Sequence, residues 1–227
     1  MKRYFLLLLI FLISYSTKAQ AQDLTIDPKM YDIIEAVSAE RLEADIRTLA
    51  GFGTRHTMSD TTSDTRGIGA ARRWIKSEFE KISEACGGCL EVREQRTLVE
   101  GDPDSRIYED TWVVNVYAVL KGETHPNNYI IMSGDIDSRA SDIRNYTIDA
   151  PGANDNASGM AGAIEAARVL SNYEFENSII FAGLSGEEQG LYGGRHMAEM
   201  AKEEGWNIIG VLNNDMIGNI EGVDGVI

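Results

Sequence analysis

The sequence predicts an α/β fold, a three-layer αβα sandwich around a mixed, mostly parallel central sheet. From Asn128 onward, short apolar segments alternate with amphipathic helical segments, which is typical of βαβ units. The strand-like segments are apolar throughout, as expected when both faces of a sheet are covered. With 43% hydrophobic and 25% charged residues, the composition is that of an ordinary globular domain.

The segments before Asn128 contribute two helices and two strands to this prediction. "SAERLEADIRTLAG" is a helix with Ser38 as its N-cap and an end near Gly51. "RGIGAARRWIKSEFEKIS" has a helical stripe of apolar residues. The residues of that stripe are Ile68, Ala71, Ile75, Phe79 and Ile82. "LEVREQRTLV" and "TWVVNVYAVLKG" are strand-like, and His125 with Pro126 is expected in the turn that follows.

The later segments give the regular alternation. The strand "NYIIMSG" leads through a long polar loop to the helix "SGMAGAIEAARVLSNY". The strand "NSIIFAGLSG" precedes a helix that begins in "EEQGLYGGRHMAEMAKEEG", and the strand "NIIGVLNND" follows. Because no repeat or Pro-rich linker interrupts these segments, we expect one domain spanning residues 22–227.

Residues 1–21 are predicted to be a secretory signal peptide. Lys2 and Arg3 precede a short apolar run, and Ala19 and Ala21 have the spacing of a cleavage site. The run is too short to span a bilayer, which disfavours a membrane anchor. We therefore expect a secreted or periplasmic protein that is not attached to a membrane after cleavage.

Charge excludes one broad class of partner. The 21 basic residues include Lys2, Arg3 and Lys18, so the chain without its signal peptide has 36 acidic residues and far fewer basic ones. Such a surface repels nucleic acids and anionic membranes. It suits a secreted protein, and equally one that binds metal cations.

Cys86 and Cys89 in "ACGGC" are the only cysteines. A zinc site would need two more thiol or imidazole ligands nearby. A redox C-x-x-C normally opens a helix after a strand, whereas this one follows a helix. In an exported protein we expect a small loop disulfide, with free thiols as the alternative.

Acidic residues follow each of the late strands. Asp135 and Asp137 end the first, Glu187 and Glu188 follow the second, and Asp215 follows the third. In open α/β sheets the carboxyl ends of the strands meet at one edge, where ligands bind. Close carboxylates repel by roughly 4 kcal/mol per pair. Two divalent cations are the simplest means of holding them together, although each acid alone would be interpreted as a solvated loop residue.

The segments that carry these acids resemble a known family. "PGANDNASG", which contains Asp155, "SGEEQGLYGG" and "NNDMIG" are similar to three consecutive signatures of the co-catalytic zinc aminopeptidases. These are the bacterial leucyl aminopeptidases and aminopeptidase Y, whose zinc-exopeptidase fold is shared with glutaminyl cyclases and glutamate carboxypeptidases. The resemblance covers residues 130–218, and "LAGFGTRH" and "GAARRWI" upstream agree with it.

The resemblance implies a role for each acid. Asp155 would bridge two divalent ions, normally zinc, with Glu188 on one ion and Asp215 on the other. Glu187 would be the general base that takes a proton from a metal-bound water. The implied function is a metal-dependent aminopeptidase that hydrolyses the N-terminal bond of peptide substrates.

The first signature departs from the family pattern. It is normally H-x-D, with His as a metal ligand and Asp as the catalytic-site residue that orients it. Here Asp135 stands at the His position, followed by Asp137. If Asp135 binds metal, the additional negative charge favours harder ions such as manganese or magnesium. If it does not, the site could work with one ion, as glutaminyl cyclases do.

The family's last ligand is a His well downstream of "NDMIG". This chain has only His56, His125 and His196, and none is expected to fill that role. We therefore expect an N-terminal portion of a metallopeptidase domain that lacks its last ligand, at least one strand and peptidase activity of its own.

Two other functions remain open at this point. One is a relative that does not hydrolyse peptides, either a glutaminyl-cyclase-like acyltransferase or a degenerate metal-binding domain. The other is an acidic scaffold module whose carboxylates bind calcium. Neither the preferred substrate side chain nor the oligomeric state can be derived from the sequence.

Overall fold

The computed structural model describes residues 27–219, and the predicted signal peptide lies outside them. Within these described residues the chain divides into two units, the first ending at Ile34 and the second beginning at Glu35. Helix α1 (Pro28–Glu35) falls almost entirely in the first unit, and none of its residues is buried. The sequence patterns above did not predict this helix.

The second unit is built on a five-stranded sheet with the order β1-β2-β4-β3-β5. Its strands are β1 (Leu90–Val99), β2 (Thr111–Leu120), β3 (His125–Asp135), β4 (Asn177–Leu184) and β5 (Asn207–Asn213). Strand β3 is parallel to β4 and β5, whereas β2 is antiparallel to β1 and β4. All strands except β2 therefore point the same way, which confirms the mixed, mostly parallel sheet.

The helices of this unit also follow the predicted pattern. They are α2 (Ala39–Gly51), α3 (Gly67–Ala85), α4 (Gly159–Leu170) and α5 (Tyr192–Glu203). The hydroxyl of Ser38 accepts the N–H of Arg41 at 3.2 Å, so the predicted N-cap of α2 is confirmed. The whole predicted apolar stripe of α3 is buried.

Helices cover both faces of the sheet. On one face, Phe79 of α3 and Ile164 of α4 belong to the same core cluster as Phe181 of β4. On the other, Met197 of α5 packs in a second cluster with Tyr117 and Ile180. Each fully buried side chain of this size contributes roughly 1.5–3 kcal/mol. This arrangement is the expected αβα sandwich.

Three local features refine the predictions. The prediction of a turn at His125 is wrong: this residue opens β3, and its N–H donates to the carbonyl of Glu176 at 2.7 Å. Helix α5 begins only at Tyr192, which leaves the paired glutamates in the turn before it. Cys86 and Cys89 form the predicted loop disulfide at the end of α3.

Strand β5 lies at one edge of the described sheet, and its apolar side chains are exposed. Ile209, Val211 and Leu212 have relative exposures of 51%, 57% and 59%. In the described part of the chain, no helix has both the length and the apolar character needed to cross a membrane.

Candidate metal centre

The register of the parallel strands brings the predicted acids to one edge of the sheet. Asp135 at the end of β3 lies beside Leu184 of β4, and Ser133 lies beside Asn213 of β5. A cavity of about 100 Å³ at this edge is lined by Asp135, Glu187 and Asp215, among others. Acids from the ends of three separate strands therefore share one small cavity.

Asp155 lies in the irregular turn of residues 153–158 that leads into α4. Gly152 enters this turn at φ 47°, and a Cβ there would collide with the carbonyl oxygen of Asp155. The charge of Asp155 acts on Glu187, Glu188 and Asp215, so this turn lies close to the same acidic centre.

Asn156 connects the pieces of the centre. Its side-chain N–H groups donate to Asp135 Oδ2 at 2.7 Å and to the carbonyl of Asn214 at 2.9 Å. Its Oδ1 accepts the N–H of Gly159 at 3.0 Å. Asn156 thus joins the ends of β3 and β5 to the start of α4. The sequence reasoning missed it, although its position between Asp155 and the helix start was a usable signal.

Asp137 is a buried positioning residue. Its two carboxylate oxygens accept the main-chain N–H groups of Glu187 and Glu188, each at 3.1 Å. Oδ2 also accepts the hydroxyl of Thr57 at 3.2 Å. The contacts therefore fix the turn that carries the two glutamates, and they do not orient a side chain at position 135.

The two adjacent glutamates have different surroundings. Glu187 lines the cavity with Asp135. Glu188 accepts Arg139 Nε at 2.6 Å, while its carbonyl oxygen accepts Arg106 Nη1 at 2.7 Å. Because the two side chains have different neighbours, they can serve different roles.

Three carboxyl groups of this centre, those of Asp135, Glu187 and Glu188, have a raised pKa. Burial, followed by the charges of Asp137 and other acids, raises the pKa of Glu187 to about 7. Burial also raises the pKa of Asp135 to about 7, against the hydrogen bond from Asn156. The pKa of Glu188 is raised by burial and by Asp155, although Arg139 opposes the shift. A bound cation would relieve the part of these shifts that comes from repulsion between the carboxylates.

Arg55 hydrogen-bonds two main-chain segments next to the centre, and the sequence reasoning did not single it out. It is fully buried, and its Nε donates to the carbonyl of Ile136 at 2.8 Å. Its Nη groups donate to the carbonyls of Pro151 at 2.6 Å and Gly152 at 3.0 Å. The guanidinium therefore links the segment after β3 to the turn before Asp155.

The predicted ligands do not form a closed set. Within residues 27–219, no three His, Cys, Asp or Glu side chains are grouped closely enough to hold a metal ion. Asp135 is engaged by Asn156, and Glu188 by Arg139. Carboxylate oxygens are suitable ligands for divalent cations. The donor chemistry thus fits a cation, and Arg139 occupies only Oε2 of Glu188, which leaves Oε1 as a donor.

The histidines stand apart from this cavity. None of the three lines it. His56 is fully buried, and its Nε2 hydrogen-bonds the carbonyl of Ile143 at 2.9 Å. His196 lies on α5, and its Nδ1 is buried without a partner within residues 27–219.

The chain resembles known peptidases in sequence. Residues 115–223 match the model of "Peptidase family M28". A "Probable zinc metalloprotease" of Pyrenophora tritici-repentis is 44% identical over 196 residues, which is 86% of this chain and 40% of that protein. The chain thus spans less than half the length of this curated relative.

Solved structures show the same fold at low identity. LapB from Legionella pneumophila has a TM-score of 0.63 at 19% identity, covering 84% of this chain and 46% of that one. A glutaminyl cyclase from Porphyromonas gingivalis has a TM-score of 0.62 at 18% identity, covering 82% of this chain and 62% of that one. The match of residues 115–223 to the model of peptidase family M28 confirms the family resemblance of the three signatures.

Proposed function

We propose that the chain forms part of the catalytic domain of a secreted, metal-dependent aminopeptidase. The observation that carries this proposal is the cavity in which acids from three strand ends meet. The similarity to a protein named as a zinc metalloprotease favours zinc, and the absence of a His at position 135 leaves manganese and magnesium as alternatives.

In this proposal each residue of the centre has a separate task. The carboxylates that would hold two divalent ions are Asp135, Asp155, Glu188 and Asp215. Such ions, when bound, polarise the scissile carbonyl and activate water. Glu187 would accept the proton of the attacking water at its carboxylate, which is free of ion pairs within residues 27–219. Asp137 would hold Glu187 in place through its main-chain N–H.

We further propose that the domain extends beyond Ile227. The exposed side chains of β5 would pack against those later residues, which would also supply the final metal ligand. This agrees with the share of the relatives that the chain covers, 40% of one and 46% of another.

The test is peptidase activity of the full-length protein on leucyl-anilide, after treatment with chelator and after addition of zinc or manganese. Glu187→Gln should lower kcat by about 10²–10⁴-fold without loss of bound metal, since it removes only the proton acceptor. Glu199→Gln, an exposed glutamate of α5, is the matched control and should retain activity. Turnover that survives chelation, or that Glu187→Gln leaves unchanged, would contradict the proposal.

A glutaminyl cyclase is the second candidate. The observation in its favour is that Asp135 is held by Asn156, which leaves one ligand position weaker. Incubation with a peptide that begins with Gln separates the two: release of ammonia without hydrolysis of leucyl-anilide would favour the cyclase.

A further inference from the structure

Arg72 of α3 is a buried guanidinium whose hydrogen-bonding capacity is largely unused. Its relative exposure is 8%. Nη2 donates to Ser185 Oγ at 3.0 Å and lies 3.4 Å from the carbonyl of Trp112. Nε is buried without a partner, and Nη1 makes no hydrogen bond with any part of residues 27–219. No acidic side chain in that range forms an ion pair with it. A buried charge left in this state is costly unless something else pairs with it.

Arg72 lines a cavity of about 390 Å³ that is distinct from the candidate metal centre. The two cavities have no lining residue in common. The cavity is of the size that proteins use for small ligands. Met58, Trp112 and Tyr146 give it an apolar part, and Trp112 is half exposed.

Most of the other charged side chains of the wall already have partners. Arg73 is engaged by the carbonyls of Thr61 and Ser63 and by Asp64. Glu94 forms ion pairs with Lys76 at 3.3 Å and Arg96 at 3.7 Å. Arg96 is 60% exposed and therefore solvated, which leaves Arg72 as the buried cation of the wall that lacks an ion-pair partner in the described residues. A ligand with one negative charge could form an ion pair with the guanidinium of Arg72.

Two acids complete the wall. Glu109 and Asp110 are exposed and line the same cavity. These carboxylates would repel a dianion such as phosphate, whereas they would attract a positively charged group. A wall with an available guanidinium, nearby carboxylates and an apolar part matches a zwitterion with an apolar side chain.

We propose that this cavity binds a free apolar α-amino acid. Its carboxylate would pair with the guanidinium of Arg72, its ammonium group with Glu109 and Asp110, and its side chain would lie against Met58 and Trp112. Charge-assisted hydrogen bonds to a buried guanidinium are the strong element of such a site.

The site adjoins the turn that carries Glu187. Arg72 contacts Ser185 at the start of that turn, and Thr57 lines the cavity while donating to Asp137. Binding at Arg72 therefore acts on the same turn as Asp137, and it does not require the metal centre to be loaded.

The test is a titration of the full-length protein with L-leucine, followed by tryptophan fluorescence. Excess chelator is present throughout, so that leucine cannot bind through a divalent ion. We expect a saturable change with a Kd of about 1 mM or tighter. Leucinamide lacks the carboxylate and N-acetylleucine lacks the ammonium group, so neither should saturate. Trp112→Phe should remove the signal while calorimetry still detects leucine.

Arg72→Met should weaken leucine binding by at least about tenfold, because it removes the charge and retains the apolar stem. Arg73→Met is the matched control, because the guanidinium of Arg73 is already paired. This variant should bind leucine as the unmodified protein does. The proposal is overturned if leucine and leucinamide give the same curve, if leucine does not saturate at concentrations of about 10 mM, or if Arg72→Met binds normally. The comparison of the three ligands uses the unmodified protein and so does not depend on the folding of any variant.

Discussion

Two buried arginines lie near Asp137 of the candidate centre, and their surroundings differ. Arg55 is fully buried and directs its guanidinium at four main-chain carbonyl oxygens. Arg72 is almost as buried but donates to one hydroxyl and, at longer distance, one carbonyl, and its Nε has no partner in the described residues. A guanidinium whose donors are satisfied stabilises the fold, whereas one with spare donors can bind a ligand.

The buried acids show the same contrast. Asp137 accepts two main-chain N–H groups and a hydroxyl. Asp45 of α2 is 8% exposed, and its Oδ2 is buried with no hydrogen-bond partner within residues 27–219. Substitutions at these four residues therefore test whether satisfaction of hydrogen bonds, and not burial alone, decides their contribution to stability.

The largest loss of stability is expected for Arg55→Met. Four carbonyl oxygens would lose their donor inside the protein, and removal of a buried, bonded charge of this kind typically costs about 3–5 kcal/mol. Urea unfolding of the full-length protein measures this loss. Arg47→Met is the control, because Arg47 is exposed and paired only with Glu43, so it should change stability by less than about 1 kcal/mol. Equal losses of stability for Arg55→Met and Arg47→Met would contradict the role assigned to the hydrogen bonds of Arg55.

A smaller loss is expected for Asp137→Asn. The amide keeps the size of the side chain but faces one of the two main-chain N–H groups of the glutamate turn with a donor in place of an acceptor. An unsatisfied buried group costs roughly 1–3 kcal/mol. Because the turn carries Glu187, kcat should fall together with stability. Asp149→Asn, at an exposed ion pair with Arg66, should change neither. Full activity of Asp137→Asn would show that the turn does not depend on this carboxylate.

Much of this architecture was predictable, because it follows from periodicity within short segments. The bounds of β1 and the capped start of α2 follow directly from local patterns. The meeting of acids at one sheet edge follows from the βαβ alternation. The bonds of Arg55 and Asn156 were not predictable in this way. They join residues separated by 81 and 58 positions, and no local pattern specifies which distant carbonyl a buried side chain will meet.

In contrast to the two substitutions above, Asp45→Asn should raise the free energy of unfolding, and the size of this effect should depend on pH. Burial, followed by the charge of Glu78, raises the pKa of Asp45 from 3.8 to about 6. The folded protein therefore binds this proton more tightly than the unfolded chain, and stability is lost as the pH rises from about 4 to about 6. Asp45→Asn removes that loss and should stabilise the protein at pH 7 by at most about 3 kcal/mol.

Urea unfolding at pH 7 and at pH 4.5 measures this effect, and the advantage of Asp45→Asn should shrink at the lower pH. Asp64→Asn, at a carboxylate that is 91% exposed, is the control and should show no such trend. A variant that is less stable than the unmodified protein at pH 7 would contradict the assignment of Asp45 as an unsatisfied acid.

The smallest change is expected for Arg72→Met in the absence of ligand. The guanidinium has few bonds to lose, and replacing an incompletely paired buried charge by an apolar side chain of similar length is often neutral or stabilising. We expect a change within about 1 kcal/mol by urea unfolding, against several for Arg55→Met. The two substitutions are chemically identical and the two residues similarly buried, so their difference measures the hydrogen bonds alone. If Arg72→Met were as costly as Arg55→Met, Arg72 would be a structural residue, and the unused donors on its guanidinium could not be interpreted as the recognition element of an amino-acid site.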